Sequence, residues 1–469
     1  MRLQKFMSLL LSCIMLCLSF QANCLSIYAE ALSAAEPTTD SDGTQAWNKS
    51  LGTDAYPQFS GKAVSYISEH GEEVYSNTNI SCNNHSYVNG ICKTCGEYEV
   101  PTLENGAYQL SNYGELVWFQ QYVDADNTGA NAVLTADITA NKNLLNKDGS
   151  VSDVPVYKWV PIGRSLQYTG TFDGNGHIIS GLYSYSDDYY DYCGLFAKMK
   201  GTIKNLGIVD SYFGGKNCYH AASFAGIGYL NSVIENCFSD SSVVGSMYCG
   251  GIVGQTTGKI SNCYYIGKIT ADSTDSNAIS SDKYNYGALE NCYYLESCGL
   301  STTRAVGKTA EQFASGDVCY ILKSSENNLV WGQNLSSEGS MPVLTSDEEL
   351  RVYRVTTVKD DASSSYYSNS SCTLPADDTG YWIDENGKVL YSPAKITKDT
   401  TITFKQFVSV LGDVNQNGKV EKADAAAVLR HVSGISLISD EAELLLADVN
   451  RDGNVDVRDA VEIIKKAAA

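Results

Sequence analysis

The chain has 469 residues, too long for one ordinary compact domain, so two to four folded units are expected. A formal net charge of −21 argues against nucleic acid or an anionic membrane surface as a partner. Tyrosine dominates the aromatic residues, 32 against 12 Phe and 5 Trp, and the 15 cysteines are too sparse for a disulfide scaffold of this length.

Residues 1–31 read as a secretory signal: Arg2 and Lys5 precede an apolar run from Phe6 to Phe20, and Ala29-Glu30-Ala31 offers a small-residue cleavage site. A lipoprotein reading through Cys13 or Cys24 fits less well, because Leu-Leu-Ser-Cys falls early and Gln-Ala-Asn-Cys is a poor match. No later apolar segment is long enough to span a bilayer, so no membrane insertion of the mature chain is expected. Without a wall-sorting tail, attachment to a surface would be noncovalent, and the expected location is extracellular. Residues 32–80 are rich in Ser, Thr and Asp and read as flexible. Within them Ala46-Trp47, Leu51 and Pro57 echo Val330-Trp331, Leu335 and Pro342.

In residues 81–97, Cys82, His85, Cys92 and Cys95 form C-x2-H-x6-C-x2-C, with Asn89-Gly90 as a turn between the pairs. Four such ligands on two short turns suit a closed tetrahedral Zn²⁺ site, structural because no position is left for water. A Cys92–Cys95 redox pair and plain thiols are the competing readings.

Residues 98–345 are Gly- and Asn-rich with short β-branched and aromatic runs, and they repeat. Gly194-Leu195-Phe196 precedes Ile203-Lys204-Asn205, and Gly251-Ile252-Val253 precedes Ile260-Ser261-Asn262; Val233-Ile234-Glu235-Asn236-Cys237 and Leu289-Glu290-Asn291-Cys292 carry the same strand. Spacings of 26 to 31 between successive Asn residues fit one coil of a parallel β-solenoid. Stacking would set Asn205, Asn236, Asn262 and Asn291 into an amide ladder at a turn, and Cys237, Cys263 and Cys292 into a file of small packing groups. These units resemble GLUG-motif repeats of bacterial surface and secreted proteins, and Tyr108 to Gly181, with Trp118-Phe119, looks like the segment that opens such a solenoid. The fold expected is mainly β, a right-handed parallel β-helix, and the resemblance carries over no catalytic residues.

No G-x-S-x-G, H-E-x-x-H or phosphate-binding Gly-Lys loop occurs. Asp187, Asp188 and Asp191 sit among five tyrosines, with Lys198, Lys200 and Lys204 following. They are the catalytic candidates if the solenoid is a polysaccharide lyase or glycoside hydrolase. The alternative is a solvated insertion in a non-catalytic solenoid used for adhesion or carbohydrate binding. Tyrosines can offer flat faces to sugar rings, or simply suit an outward strand face.

Residues 346–408 alternate apolar and polar positions through Val352, Val355, Val358, Trp382, Ile402 and Phe404, and read as a small all-β domain resembling β-grasp-type repeats. From 409 to 469 a twelve-residue oxygen-rich loop appears twice. Asp413, Asn415, Asn417, Gly418, Glu421 and Asp424 recur 35 positions later as Asp448, Asn450, Asp452, Gly453, Asp456 and Asp459. A hard cation such as Ca²⁺ takes six or more oxygens on a short loop with Gly at its sixth position, so two calcium ions are expected, with Lys419 and Asn454 giving the seventh-position carbonyls. Each loop leads into a helix whose apolar stripe is Ala425, Val428 and Leu429, or Ala460, Ile463 and Ile464, and Ser439 can cap a helix between them. Loop two offers four carboxylates against three in loop one, so tighter calcium binding is expected there. No helix leads into Asp413 and position twelve is Asp, both departures from an EF-hand.

Such duplicated EF-hand-like loops resemble a type I dockerin. The resemblance implies a cohesin domain of a cellulosome scaffoldin as partner, contacted by Lys422, Ala423 and Arg430 on one half and Val457, Arg458 and Lys465 on the other.

Overall fold

The computed structural model describes residues 65–69, 72–76, 85–93, 95–152, 157–281, 287–322 and 331–468. The signal segment, the echo at Ala46-Trp47 and Cys82 lie outside them. The chain divides into two compact units between Tyr98 and Glu99. The first contains an antiparallel pair, Ser65–Glu69 with Glu72–Ser76, and a second small hairpin, Tyr87–Val88 with Ile91–Cys92. Asn89 and Gly90 both take left-handed φ, +49° and +75°, as a two-residue hairpin turn requires.

The second unit opens with Ala107–Leu110 and Asn131–Leu134, parallel strands joined by helix α1 (Tyr113–Asp124). Asn112 caps α1 by accepting from Glu115 N, and Leu116, Phe119 and Val123 share its fully buried face. The short apolar run around Trp118-Phe119 carries no strand-or-helix signature of its own, and packing of Phe119 against Tyr168 and Phe172 is what uses its helical period.

Beyond it runs a β-solenoid of about four coils. Strands β1 (Thr171–Asp173), β2 (Thr202–Val209), β3 (Val233–Ser239), β4 (Lys259–Tyr265) and β5 (Ala288–Leu295) stack in parallel. Three further parallel sheets complete the coils: one through Tyr183–Ser184, Tyr212–Gly214, Ser242–Gly245 and Lys268–Ala271, one through Phe196–Met199, Ala225–Gly228 and Val253–Thr256, and a short pair of Tyr192–Cys193 with His220–Ala221. The asparagines do stack, but within the long strands rather than at a turn. Asn205, Asn236, Asn262 and Asn291 have φ of 52° or 53°, bending each strand at the same register. Asn236 Nδ2 donates to Asn205 Oδ1 at 3.1 Å, Asn291 Nδ2 to Asn262 Oδ1 at 2.7 Å, and Asn205 Nδ2 to Asp173 Oδ1 at 3.0 Å. Asn tolerates left-handed φ where a β-branched residue does not. Cys237, Cys263 and Cys292 fill the buried file beside it, and Cys193, Cys218 and Cys249 are likewise buried.

Phe238, Tyr264 and Tyr293 from successive coils are covered by α2 (Ala310–Ala314), α3 (Asp317–Leu322) and Trp331. A mixed five-stranded sheet follows: β6 (Tyr353–Lys359), β7 (Ala362–Ser368), β8 (Gly380–Ile383), β9 (Val389–Leu390) and β10 (Thr400–Gln406), in the order β7-β6-β10-β8-β9. Its core takes Tyr353, Val355, Trp382, Ile402 and Phe404. The two-residue period of β6 buries Thr357 instead of Val358, and Val352 belongs to the Trp331 cluster instead. Three helices end the chain, α4 (Lys422–Val432), α5 (Glu441–Ala447) and α6 (Val457–Ala468). Among the described residues no helix is long and apolar enough to cross a membrane.

Two outcomes follow from this stacking. Asn236→Val forces a β-branched residue to φ near +52° and removes an amide link, so it should lower stability by about 1–3 kcal/mol, with Asn236→Gly losing less; thermal unfolding of both variants measures the difference. His220, stacked between Tyr192 and Tyr248, is held down to about 4 from 6.5 by burial. Its contribution is therefore fully present above pH 6.5 and is lost as pH falls toward 4, by about 3 kcal/mol at most. Melting curves from pH 7 to pH 4 should fall more steeply for wild type than for His220→Gln.

Candidate functional site

Helices α4 and α6 each begin at a carboxylate that faces backwards into its own loop. Asp424 accepts from Asn415 N at 3.1 Å and Glu421 N at 2.9 Å; Asp459 accepts from Asn450 N at 3.1 Å and Asp456 N at 2.8 Å. The first loop residue mirrors it. Asp413 Oδ1 and Oδ2 accept from Asn417 N and Gly418 N at 3.0 and 2.7 Å, and Asp448 from Asp452 N and Gly453 N at 3.2 and 3.0 Å. Backbone conformation repeats as well, with φ of 55° and 60° at Gln416 and Arg451 and of 87° and 85° at Gly418 and Gly453. Neither of these glycines can be replaced without strain.

Asp413, Asp424 and Asp459 are fully buried and Asp448 is 4% exposed. Among the described residues none of the four has a cationic side chain at ion-pair distance. Amide donors lower the cost of such burial but leave the charge in place. Burial, aided by the nearby Asp459 and Asp452 charges, pushes the Asp448 carboxyl up to about 6. This donor set, all oxygen, curved around a glycine and carrying excess negative charge, fits a hard divalent cation.

The remaining loop groups do not converge. In loop one Asn417 Nδ2 donates to Glu421 Oε1 at 3.1 Å. In loop two the Arg458 guanidinium takes both Asp452, at 2.6 Å, and Asp456, at 2.7 Å, holding the Asp456 carboxyl below its usual range. Ala423 stands at the equivalent position of loop one. Arg458 thus offsets the extra carboxylate on which the expected affinity ordering of the two loops rests. Among the described residues, the one set of three His, Cys, Asp or Glu ligand atoms within 4.8 Å of one another is elsewhere, at His85, Cys92 and Cys95.

Ala425, Val428, Ala460 and Ile463 form the helical core with Val414 and Ala447. The apolar stripe read from the sequence needs correction here: Leu429 and Ile464 face solvent, 42% and 44% exposed. A small three-helix core has room for only two positions per helix, and α5 with the loops covers those. Val432, Val457 and Val461 are exposed alongside them, and so are Lys422, Ala423, Arg430, Arg458 and Lys465. Periodicity alone could not tell the two halves of the stripe apart. The cap of α5 is also corrected, since Asp440 and not Ser439 accepts from Ala442 N and Glu443 N. Loop two packs on the preceding sheet: Tyr391 lies against Gly453, and Arg451 sits over Phe407 and 3.5 Å from Asp378.

On the solenoid, Asp187 accepts from Tyr185 OH, Asp188 accepts from Tyr190 N at 3.0 Å, and Asp191 pairs with Arg164 at 2.8 Å. Arg164, Asp188, Tyr190, Asp191, Tyr192 and Lys198 line a shallow cleft of about 270 Å³. Beside it, Tyr189 and Tyr190 pack on Tyr219, which meets Tyr248 of the next coil edge to face. Spacing in the sequence did not expose this flank, because Tyr219 and Tyr248 reach Tyr189 only through the coil stacking.

Comparison with known proteins places the loops in a family. Residues 411–466 match the model of the dockerin type I domain. No curated protein matches the chain. A crystal structure of a candidate immunoglobulin A1 protease from Bacteroides ovatus is similar at 20% identity and a TM-score of 0.35, over 52% of this chain and 93% of that one. Type I dockerins bind calcium, occur in secreted cellulosome components and imply a cohesin as partner. The C-terminal segment of this chain is accordingly a type I dockerin domain, carried behind a β-solenoid.

Proposed function

We propose that this is a secreted protein that plugs into a cohesin-bearing scaffoldin through a calcium-ordered C-terminal module, at a cell surface or in a cellulosome-type assembly. The observation that carries the reading is the pair of buried aspartates in each loop, held by the same backbone amides and, among the described residues, matched by no cationic side chain. Asp413, Asn415, Asn417, Glu421, Asp424 and the Lys419 carbonyl would hold one ion; Asp448, Asn450, Asp452, Asp456, Asp459 and the Asn454 carbonyl the other. Bound calcium would neutralise the buried charge. The protein side supplies the rest: Asp424 and Asp459 tie each loop to the first turn of α4 or α6, so loop order and helix position are coupled.

The cohesin face draws on the exposed apolar residues Leu429, Val432, Val457, Val461 and Ile464 and on the exposed cationic residues Lys422, Arg430, Arg458 and Lys465 of the same two helices. Exposed apolar and cationic residues on one pair of helices suit a docking surface for a partner that carries acidic side chains. For the solenoid we favour carbohydrate or surface binding along the Tyr189, Tyr190, Tyr219 and Tyr248 flank, whose rings can cover sugar CH faces while their hydroxyls hydrogen-bond. The three candidate carboxylates of the catalytic reading are each engaged in local bonds, and no feature favours that reading over binding.

Cohesin capture from a scaffoldin panel should be strong with calcium and lost with chelator, and Ile464→Asp should weaken it at least about tenfold with its helical circular dichroism intact. Equal capture after removal of calcium would refute the reading. Arg458→Ala should raise the calcium affinity of the second loop about two- to fivefold in calorimetric titration, since it removes the competing guanidinium from Asp452 and Asp456.

A further inference from the structure

We infer that His85, Cys92 and Cys95 bind one structural Zn²⁺, with Glu97 orienting the histidine, and that this metal takes the place of a hydrophobic core in the residues around them. The site is separate from the dockerin and does not depend on the docking reading.

Geometry comes first. One ligand atom from each of the three side chains lies within 4.8 Å of the others, and His85 Nδ1 is 3.4 Å from Cys95 Sγ. Zn–S distances of about 2.3 Å and Zn–N of about 2.0 Å at a tetrahedral angle put sulfur and nitrogen about 3.5 Å apart. The backbone is shaped for the same purpose. Gly96, with φ of 73°, donates to Cys92 O at 2.9 Å, and Cys92 N donates to Glu97 O at 2.9 Å, so the chain doubles back and brings both thiols to one side. The Asn89-Gly90 turn returns the strand that starts beside His85 to Cys92.

The second nitrogen of the ring is used as well. His85 Nε2 is 3.4 Å from Glu97 Oε2 while Nδ1 faces the sulfur, and the ring stacks on Tyr87 at 5.4 Å. A carboxylate on the far nitrogen fixes the tautomer that leaves Nδ1 as a lone-pair donor, an arrangement metal-bound histidines share. Two neighbouring thiols awaiting a disulfide would have no use for it.

The local packing explains why a metal is needed. Between residues 85 and 98 the sole buried apolar side chain among the described residues is Cys92, 1% exposed. A segment of that size cannot pay its ordering entropy by burial, and small scaffolds of this kind are stapled by metal or disulfide. The sequence pattern offers Cys82 as a further ligand, and among the described residues His85, Cys92 and Cys95 are the three whose ligand atoms converge.

The test uses the full chain purified without chelator. Elemental analysis should find one zinc per chain, and exchange with Co²⁺ should give the absorption of a thiolate-bound tetrahedral ion. Cys95→Ser should reduce zinc to background and abolish that absorption, leaving the β circular dichroism of the solenoid unchanged. Glu97→Gln should keep the stoichiometry and weaken zinc about 10- to 100-fold in competition with a chromophoric chelator. Zinc at background together with a Cys92–Cys95 disulfide in the mass spectrum, or zinc undiminished in Cys95→Ser, would overturn the site. Unchanged affinity in Glu97→Gln would overturn the part assigned to Glu97.

Discussion

A parallel stack of coils holds together only if every coil bends at the same point, and here that bend is one left-handed residue in each long strand. Asn205, Asn236, Asn262 and Asn291 adopt the same φ at the same register, and their amides hydrogen-bond along the stack, beginning from Asp173. The backbone conformation selects Asn for its tolerance of positive φ, and the stacking then rewards it for its paired donor and acceptor. With the bend fixed, the next residue of each coil points inward, which is why small or aliphatic groups, Leu206, Cys237, Cys263 and Cys292, file behind it. The aromatic row Phe238, Tyr264 and Tyr293 follows one position later and gives α2, α3 and Trp331 their seat.

The dockerin obeys a similar logic with a different force. Repetition again sets identical backbone angles at equivalent positions, yet what accumulates is negative charge in place of apolar contact. Four aspartates are drawn into a core of six small apolar residues, where backbone amides satisfy their hydrogen bonds without cancelling their charge. A core that small leaves the outer halves of the helical stripes in solvent. The same economy that buries uncompensated negative charge thus also leaves Leu429 and Ile464 in solvent.

The cysteines divide along the same lines. In the solenoid they are packing atoms, buried deeply enough that thiol ionisation is suppressed at Cys249, Cys263 and Cys292. At Cys92 and Cys95 they sit on a tight turn beside a histidine, in a segment with almost nothing else to bury. One residue type therefore stands in two different settings, a packed interior and a tight turn with little to bury.

Much of this was legible in order along the chain because repeats announce themselves. The recurring Asn and Cys gave the coil length, and the twelve-residue spacing of Asp, Asn and Gly gave the paired dockerin loops, since both depend on local backbone geometry that a short stretch of residues dictates. Three features depended on contacts between distant parts of the chain: the packing of α1 on Tyr168 and Phe172, the solvent exposure of Leu429 and Ile464, and the tyrosine flank that spans successive coils. Sequence by itself determined which residues bend, cap and offer oxygen, because those properties belong to single side chains and their near neighbours. Tertiary structure alone decided which apolar residues are covered and which charges meet, because burial and pairing are set by whatever the fold happens to place opposite them.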